Sequence, residues 1–317
     1  MAILIDPPAW PAHGTLWSHL VSDADTDELH AFAKRLGVPR RGFDLDHYDV
    51  PTSLHERAVA LGARPVTAKE LLRGLQDAGL RVRQVERGIV APIRRRQYLE
   101  SEWMALDVAL GLAGGALELE AWRALGGSLI ARWNEPHRRY HDERHLEDVL
   151  LSLDQLATRG ETVPPATLLA AWFHDAVYAG APSDEADSAA LAAESLAPFV
   201  RDAALAERVS AMVVATAPGR EVRDPDPALA LLLDADLAIF AAPPHRYAEY
   251  AAAVREEFAR VPDAEFAAAR ARILAAYLDR PAIYRTGTAR QLWEDRARVN
   301  VAAEIARLTA PLPGSAA

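Results

Sequence analysis

The sequence predicts an α+β protein: a small N-terminal α/β domain over residues 1–85, then an all-α domain over residues 99–310. Three observations carry this reading. Strand-like and helix-like patterns alternate only at the start of the chain, the mark of a small open sheet with helices. After Gln97 apolar residues recur at helical spacing with no convincing two-residue alternation. Between the two lies an arginine-rich stretch, residues 86–98, in which Gly88 and Pro92 interrupt periodicity, so it reads as a basic linker.

The N-terminal elements follow in order. Ala2 to Ile5 is a short apolar run stopped by Asp6, Pro7 and Pro8, as a buried strand would be. Capping residues crowd Asp23 to Asp27, and Glu28 to Leu36 has helical spacing that ends at Gly37. Leu54 to Leu61 predicts a second helix, closed by Gly62. Residues 65–67 read as a short strand or turn. Thr67 and Glu70 form the pattern of a capping box that opens a third helix through Leu71, Leu72 and Leu75. Gly79 to Val82 reads as a further strand.

In the second part the spacing predicts helices over Tyr98 to Gly111 and Leu117 to Trp133, the latter with Gly126 and Gly127 inside it. Asn134 to Pro136 breaks the chain. Further helices are predicted over Asp142 to Ala157, Leu168 to Tyr178, Asp184 to Leu196, Ala203 to Thr216 and Pro227 to Ala241. Three more follow over Pro244 to Arg260, Asp263 to Leu278 and Ala289 to Leu308.

Composition narrows the function classes. The 317 residues are half hydrophobic and one quarter charged, ordinary for a globular chain, with a formal charge of −10. An acidic balance argues against sequence-independent nucleic-acid binding, and the arginines of the linker have no interleaved aromatics to stack bases. It leaves small phosphorylated substrates open, since those need only a local cationic patch. With no cysteine, disulfides, thiolate metal sites and thiol nucleophiles are excluded. No signal-peptide pattern and no apolar run long enough to span a membrane is seen, so the expected location is the cytoplasm. Nothing in the composition decides against an oligomer.

Polar residues of the first domain form one candidate site. Asp6 ends a predicted strand, where open α/β sheets place ligands. His19, Asp46, His47 and Asp49 can converge on it as a small-molecule or metal site. The plainer alternative is that Asp6 and Asp46 cap turns and the two histidines are structural. Residues 2–80 resemble a domain family of unknown function, DUF4031. The resemblance rests on Ile5-Asp6 followed by Trp10-Pro11, on Leu16-Trp17-Ser18-His19-Leu20, on Asp27-Glu28-Leu29-His30 with Ala31-Phe32-Ala33, and on Asp46-His47-Tyr48-Asp49. It implies a fold but no activity.

The second domain carries the sharper signal. His174 and Asp175 stand side by side in the very apolar stretch Ala170 to Tyr178. A buried imidazole beside a buried carboxylate is costly unless both are used, and a divalent metal would use both. On a helix the two lie roughly 100° apart and can reach a point between their directions. Upstream, His141 and His145 are four apart and share a helix face. Downstream, Asp234 and Asp236 sit in a strongly apolar helix, roughly 200° apart around it, so only one can face a cluster. Arg138, Arg139 and Arg144 flank the histidines and can clamp a phosphate, or else form a solvated face. Glu185 is a candidate general acid or base, or simply a charge placed at a helix N-terminus. Arg298 and Asn300 are candidate substrate contacts on the last helix, with an intrahelical Glu294–Arg298 pair as the alternative.

The order His, His-Asp, Asp resembles that of HD-domain metal-dependent phosphohydrolases, over about residues 99–310. The shared motifs are Arg138 to Leu146, Phe173 to Tyr178, Asp184-Glu185 with Ser188, Leu233 to Leu237, and Ala297 to Asn300. The resemblance implies an all-α fold with His145, His174, Asp175 and Asp236 as ligands of a divalent ion. Mixed imidazole and carboxylate donors suit manganese, iron, nickel or zinc, with magnesium also allowed. It implies hydrolysis of a phosphate ester, of a nucleotide among others, with Asp175 and Glu185 as proton carriers. The chain departs from its relatives at Ala215 to Arg220, which lacks a histidine; this puts a second metal ion in doubt and leaves Arg220 as a substitute contact. The rival expectation is a non-catalytic sensor that binds a metal or nucleotide.

Overall fold

The computed structural model describes residues 2–12, 14–112, 115–220 and 222–310. The chain divides into two compact units, one over residues 1–97 with 157–160, the other over 98–156 with 161–317. It is α+β overall, and among the described residues all strands fall in the first unit.

The first unit is built on a five-stranded mixed sheet. Its strands are β1 (Ile3–Ile5), β2 (Trp10–Ala12), β3 (Thr15–Ser22), β4 (Tyr48–Pro51) and β5 (Arg64–Pro65). The long β3 is central: it pairs antiparallel with β1, β2 and β4, and β5 lies parallel to β1. Helix α1 (Thr26–Leu36) buries Leu29, Phe32, Ala33 and Leu36, a stripe at helical spacing. It is closed by Gly37 at φ 85°, a left-handed C-cap that a side chain would strain. Helices α2 (Thr52–Ala60) and α3 (Ala68–Asp77) follow. Both hydrogen bonds of the Thr67–Glu70 capping box are made.

The structure corrects three sequence expectations here. Strands β2, β3 and β4 fall where the sequence showed only motifs. Gly79 to Val82 is not a strand; Gly79 turns the chain at φ 68° after α3, and the Val82 amide donates to Asp46 Oδ2 at 2.7 Å. The arginine-rich linker is helical, because α4 runs unbroken over Arg87–Leu110 and carries Pro92 within it. The proline is the sixth residue of the helix, so it forgoes one intrahelical hydrogen bond, which the remaining turns of this long helix outweigh.

The second unit is all helix. It holds the rest of α4, then α5 (Ala116–Trp133), α6 (Glu143–Thr158), α7 (Pro165–Phe173), α8 (Asp184–Leu196), α9 (Ala203–Ala215), α10 (Pro227–Asp236), α11 (Pro244–Glu257), α12 (Asp263–Leu278) and α13 (Gly287–Leu308). A 3-10 turn, Leu237–Ala241, continues α10. One continuous apolar core joins these helices. At its centre Trp103 of α4 stacks on Trp122 of α5, with ring centroids 4.2 Å apart. Each indole N–H donates to the other residue's carbonyl. Gly126 makes this approach feasible: a Cβ there would run into the Trp103 ring.

The expected Leu168–Tyr178 helix is shorter at its C-terminal end. α7 stops at Phe173, so His174 and Asp175 stand on a turn instead of one helix face. Among the described residues no single helix is long and apolar enough to cross a membrane.

Candidate metal centre

Three elements of the second unit deliver side chains to one point. α6 begins at Asp142, whose carboxylate accepts from the Arg144 and His145 amides as an N-cap. That fixes the first turn, and with it His145. The turn after α7 supplies His174 and Asp175. The last residue of α10 supplies Asp236.

The donor atoms converge closely. His145 Nε2 lies 3.1 Å from His174 Nε2 and 3.2 Å from Asp236 Oδ1. Asp175 Oδ2 lies 3.2 Å from His174 Nε2 and 3.7 Å from His145 Nε2. His174 Nε2 to Asp236 Oδ1 is 3.7 Å. Donors bound at about 2.1 Å to one small divalent ion sit about 3.0–3.4 Å from each other, so the set is of the right size. Both histidines are almost wholly buried, and the two carboxylates are partly exposed.

Tautomer and charge agree with that size. His174 Nδ1 bonds the Ala171 carbonyl at 2.9 Å, so that nitrogen carries the proton and Nε2 offers its lone pair to the cluster. Burial opposes a charged ring at His174, but the Asp175 and Asp236 carboxylates outweigh it and raise the imidazole to about 9. Burial pushes Asp175 upward, and the His174 ring overcomes it and holds the carboxyl well below its ordinary range. Asp236 is likewise lowered against burial, by His145 and His174. The centre of the cluster therefore favours positive charge. Above it the buried Tyr140 hydroxyl makes no hydrogen bond, and its ring lies 4.8 Å from that of His145. The residues present thus fit a divalent cation: four acceptor groups, matched spacing and a potential that favours a cation. The smaller set of His145, His174 and Asp236 alone holds its donors within 4.8 Å of one another.

His141 lies beside these residues, its ring stacked on Tyr178 at 4.3 Å and edge-on to His145 at 5.6 Å. Glu257, at the end of α11, explains its position. This carboxylate accepts from the amides of Arg139, Tyr140 and His141, from His141 Nδ1 and from the Tyr178 hydroxyl. Burial works against its charge, but the His141 ring and these amides bring it down to about 2. His141 is raised, its burial outweighed by Glu257 and by the charges of Asp175 and Asp236. Sequence reasoning missed Glu257. Its only local signal is that two acids, Glu256 and Glu257, end a helix whose C-terminal dipole disfavours them.

Several residues read as substrate contacts also make structural contacts. Arg138 is buried beneath the site. Its guanidinium donates to the carbonyls of His141, Asp175 and Ala176 and stacks over Trp133 and Tyr178, so it clamps the His-Asp turn. Arg139 and Arg144 meet Glu256 and Glu249 at the surface. Asp234 faces away from Asp236 and accepts from the Arg285 and Thr286 amides at 2.7 and 2.8 Å. Arg298 pairs with Glu294 and donates to carbonyls of Leu278, Arg280 and Pro281. The Asn300 amide holds the carbonyls of Phe240 and Ala242. Glu185 is half-buried, and burial together with Asp175 and Asp184 raises its carboxyl. Asp184 and Ser188 are loop anchors: Asp184 accepts from the Ala179 and Ala181 amides, and Ser188 bonds both backbone groups of Val177.

In the first unit the five predicted residues also meet. Asp6 bonds the His19 ring, Asp46 bonds the His47 ring, and Asp49 lies between the two imidazoles. Residues 3–78 match a family described as "Protein of unknown function (DUF4031)". That description assigns no activity to the matched residues. No curated protein and no solved structure matches the chain.

Proposed function

We propose that the helical unit is an HD-type metal-dependent phosphohydrolase that cleaves a phosphate ester, nucleotides being one candidate class. The observation that carries the reading is the convergence of His145, His174, Asp175 and Asp236 from separate elements onto one cation-favouring point. A divalent ion held there supplies Lewis acidity toward a phosphoryl oxygen and a more acidic water. The chain's own residues do the rest. His145 and His174 present Nε2 lone pairs, and the Ala171 carbonyl keeps the second of these in the required tautomer. Asp175, with its depressed pKa, stays ionised as a ligand and orients the attacking water by accepting a hydrogen bond, the water's proton passing to solvent. Glu185, with its raised pKa, gives a proton to the leaving oxygen. His141, favoured in its charged form by Glu257, supplies the cationic contact to phosphate that Arg138 is too deeply engaged to make.

Metal analysis of the full-length protein, followed by a screen of phosphate monoesters and nucleotides with added Mn²⁺, tests the reading. His174→Ala is expected to lose metal from this centre and all turnover. Turnover that survives in His174→Ala overturns it. Bound metal with no turnover on any phosphate ester replaces the hydrolase with a binding protein.

A further inference from the structure

We propose that the DUF4031-like unit carries a second divalent-cation site, with His19, His47 and Asp49 as its ligands. This site goes beyond the helical unit's chemistry and does not rest on it.

The sequence brings these residues together through one sheet pairing. His19 of β3 lies opposite Asp49 of β4 in the antiparallel register, and His47 directly precedes β4. One donor atom from each of the three lies within 4.8 Å of the others. Asp49 Oδ1 is 3.6 Å from His47 Nε2 and 4.0 Å from His19 Nε2. The Asp49 side chain is half exposed, so it is free to rotate inward to ligand spacing.

The independent observation lies behind the ligands. Each imidazole is held on its far side by its own buried carboxylate. Asp6, 1 % exposed, bonds His19 Nδ1 at 2.9 Å and takes the His19 amide on its other oxygen. Asp46, 3 % exposed, bonds His47 Nδ1 at 2.6 Å and spends its other oxygen on Arg81 and the Val82 amide. Two carboxylate–imidazole pairs in one small domain therefore put the proton on Nδ1 and leave both Nε2 lone pairs facing Asp49. Carboxylate–histidine pairing of this kind orients and strengthens metal-ligating imidazoles. A structural histidine needs neither the pairing nor a shared target.

The ligands also open onto space. They line a cavity of about 560 Å³ whose walls include Trp10, Trp17 and Phe43. Two imidazoles and one carboxylate are the three-ligand set of catalytic zinc sites, which leave further positions to water or substrate. The geometry points to a borderline-soft divalent ion such as zinc, bound at the floor of an aromatic-walled cavity.

Zinc titration by calorimetry into the full-length His174→Ala protein tests the site with the other centre disabled. Saturation at one ion per chain is expected. Adding Asp49→Ala should abolish it, and adding Asp46→Asn should weaken it about 10–100-fold while leaving all three ligands in place. Circular dichroism checks that each variant folds; the exposure of Asp49 keeps the first one informative if Asp46→Asn does not fold. Equal zinc binding with and without Asp49→Ala overturns the proposal, as does no saturable binding in His174→Ala. A wild-type protein that loses one ion on His174→Ala and none on Asp49→Ala would leave the helical centre standing and this one refuted.

Discussion

The Glu257 carboxylate accepts a hydrogen bond from His141 Nδ1 at 2.7 Å, across a sequence separation of 116 residues. The same carboxylate gathers three successive backbone amides, from Arg139 to His141. The end of α11 therefore fixes the loop that leads into His145. A charged acceptor with several buried donors is the kind of hydrogen-bond partner whose loss is costly, since the donors are left without an equal replacement.

Glu257→Gln keeps the shape, removes the charge and turns an NH₂ group toward amide donors. It is expected to destabilise the helical unit by about 2–3 kcal/mol. Chemical denaturation followed by far-ultraviolet circular dichroism measures this. The unfolded carboxyl titrates at its ordinary value and the folded one at about 2, so the stabilising contribution is present above the ordinary range and is lost as pH falls toward 2. The variant should lack that acid-side loss. A Glu257→Gln protein as stable as wild type at neutral pH would remove Glu257 from its positioning role.

The two aspartates of α10 should separate cleanly. Asp236 faces the imidazoles at the partly exposed mouth of the cluster, while Asp234 is wholly buried and anchors the backbone at Arg285 and Thr286. Asp236→Asn is expected to cut metal affinity more than about 100-fold, beyond the effect of losing an outer partner, with little change in stability. Asp234→Asn should do the reverse, costing about 2–3 kcal/mol by removing the charge and turning an amide N–H₂ on one of the two buried donors, while leaving metal content intact. Metal analysis and denaturant midpoints on both variants decide it. A common phenotype in the two would mean that α10 presents its carboxylates differently.

What the sequence made legible, and what it hid, follows from the range of the interactions. Helix ends could be read from local signals: Thr67 and Glu70 bond to each other's backbone three residues apart, and Gly37 takes the left-handed φ that ends α1. The His174-Asp175 pair stood out because two polar residues interrupt an apolar run. Strand β3 was hidden because its alternation is broken, with Leu20, Val21 and Ser22 all buried in succession between neighbours. Arg138 looked like a phosphate ligand because local sequence shows its charge but not the three carbonyls, two of them 37 and 38 residues away, that use its donors. Glu257 was invisible for the same reason. The reach of α4 through the arginine-rich stretch was missed because Gly88 and Pro92 are poor helix residues by propensity, a local preference that the rest of the 24-residue helix overrides.

His30 gives the sheet unit a pH dependence of definite sign. Its ring sits among Tyr48 and Phe43, with Nδ1 2.9 Å from the Tyr48 hydroxyl. Burial, and after it the charges of Arg40 and Arg94, lower the imidazole from 6.5 to about 3. Between those values the unfolded chain holds a proton that the folded one refuses. The stability contribution is therefore complete above about pH 6.5 and is lost as pH falls through the window toward 3, at no more than about 1.4 kcal/mol per pH unit. Carboxylates begin to titrate in the lower half of that window, and His19, raised by its bond to Asp6, contributes with the opposite sign, so it is the difference between variant and wild type over about pH 5 to 6.5 that isolates His30. His30→Gln retains a group able to bond Tyr48 and cannot titrate, so it should flatten the slope there. Hydrogen exchange of the β3 amides, corrected for intrinsic rates, reports the opening of this unit separately from the helical one. Equal pH slopes in the wild type and His30→Gln would mean that the ring reaches solvent and takes its proton without unfolding.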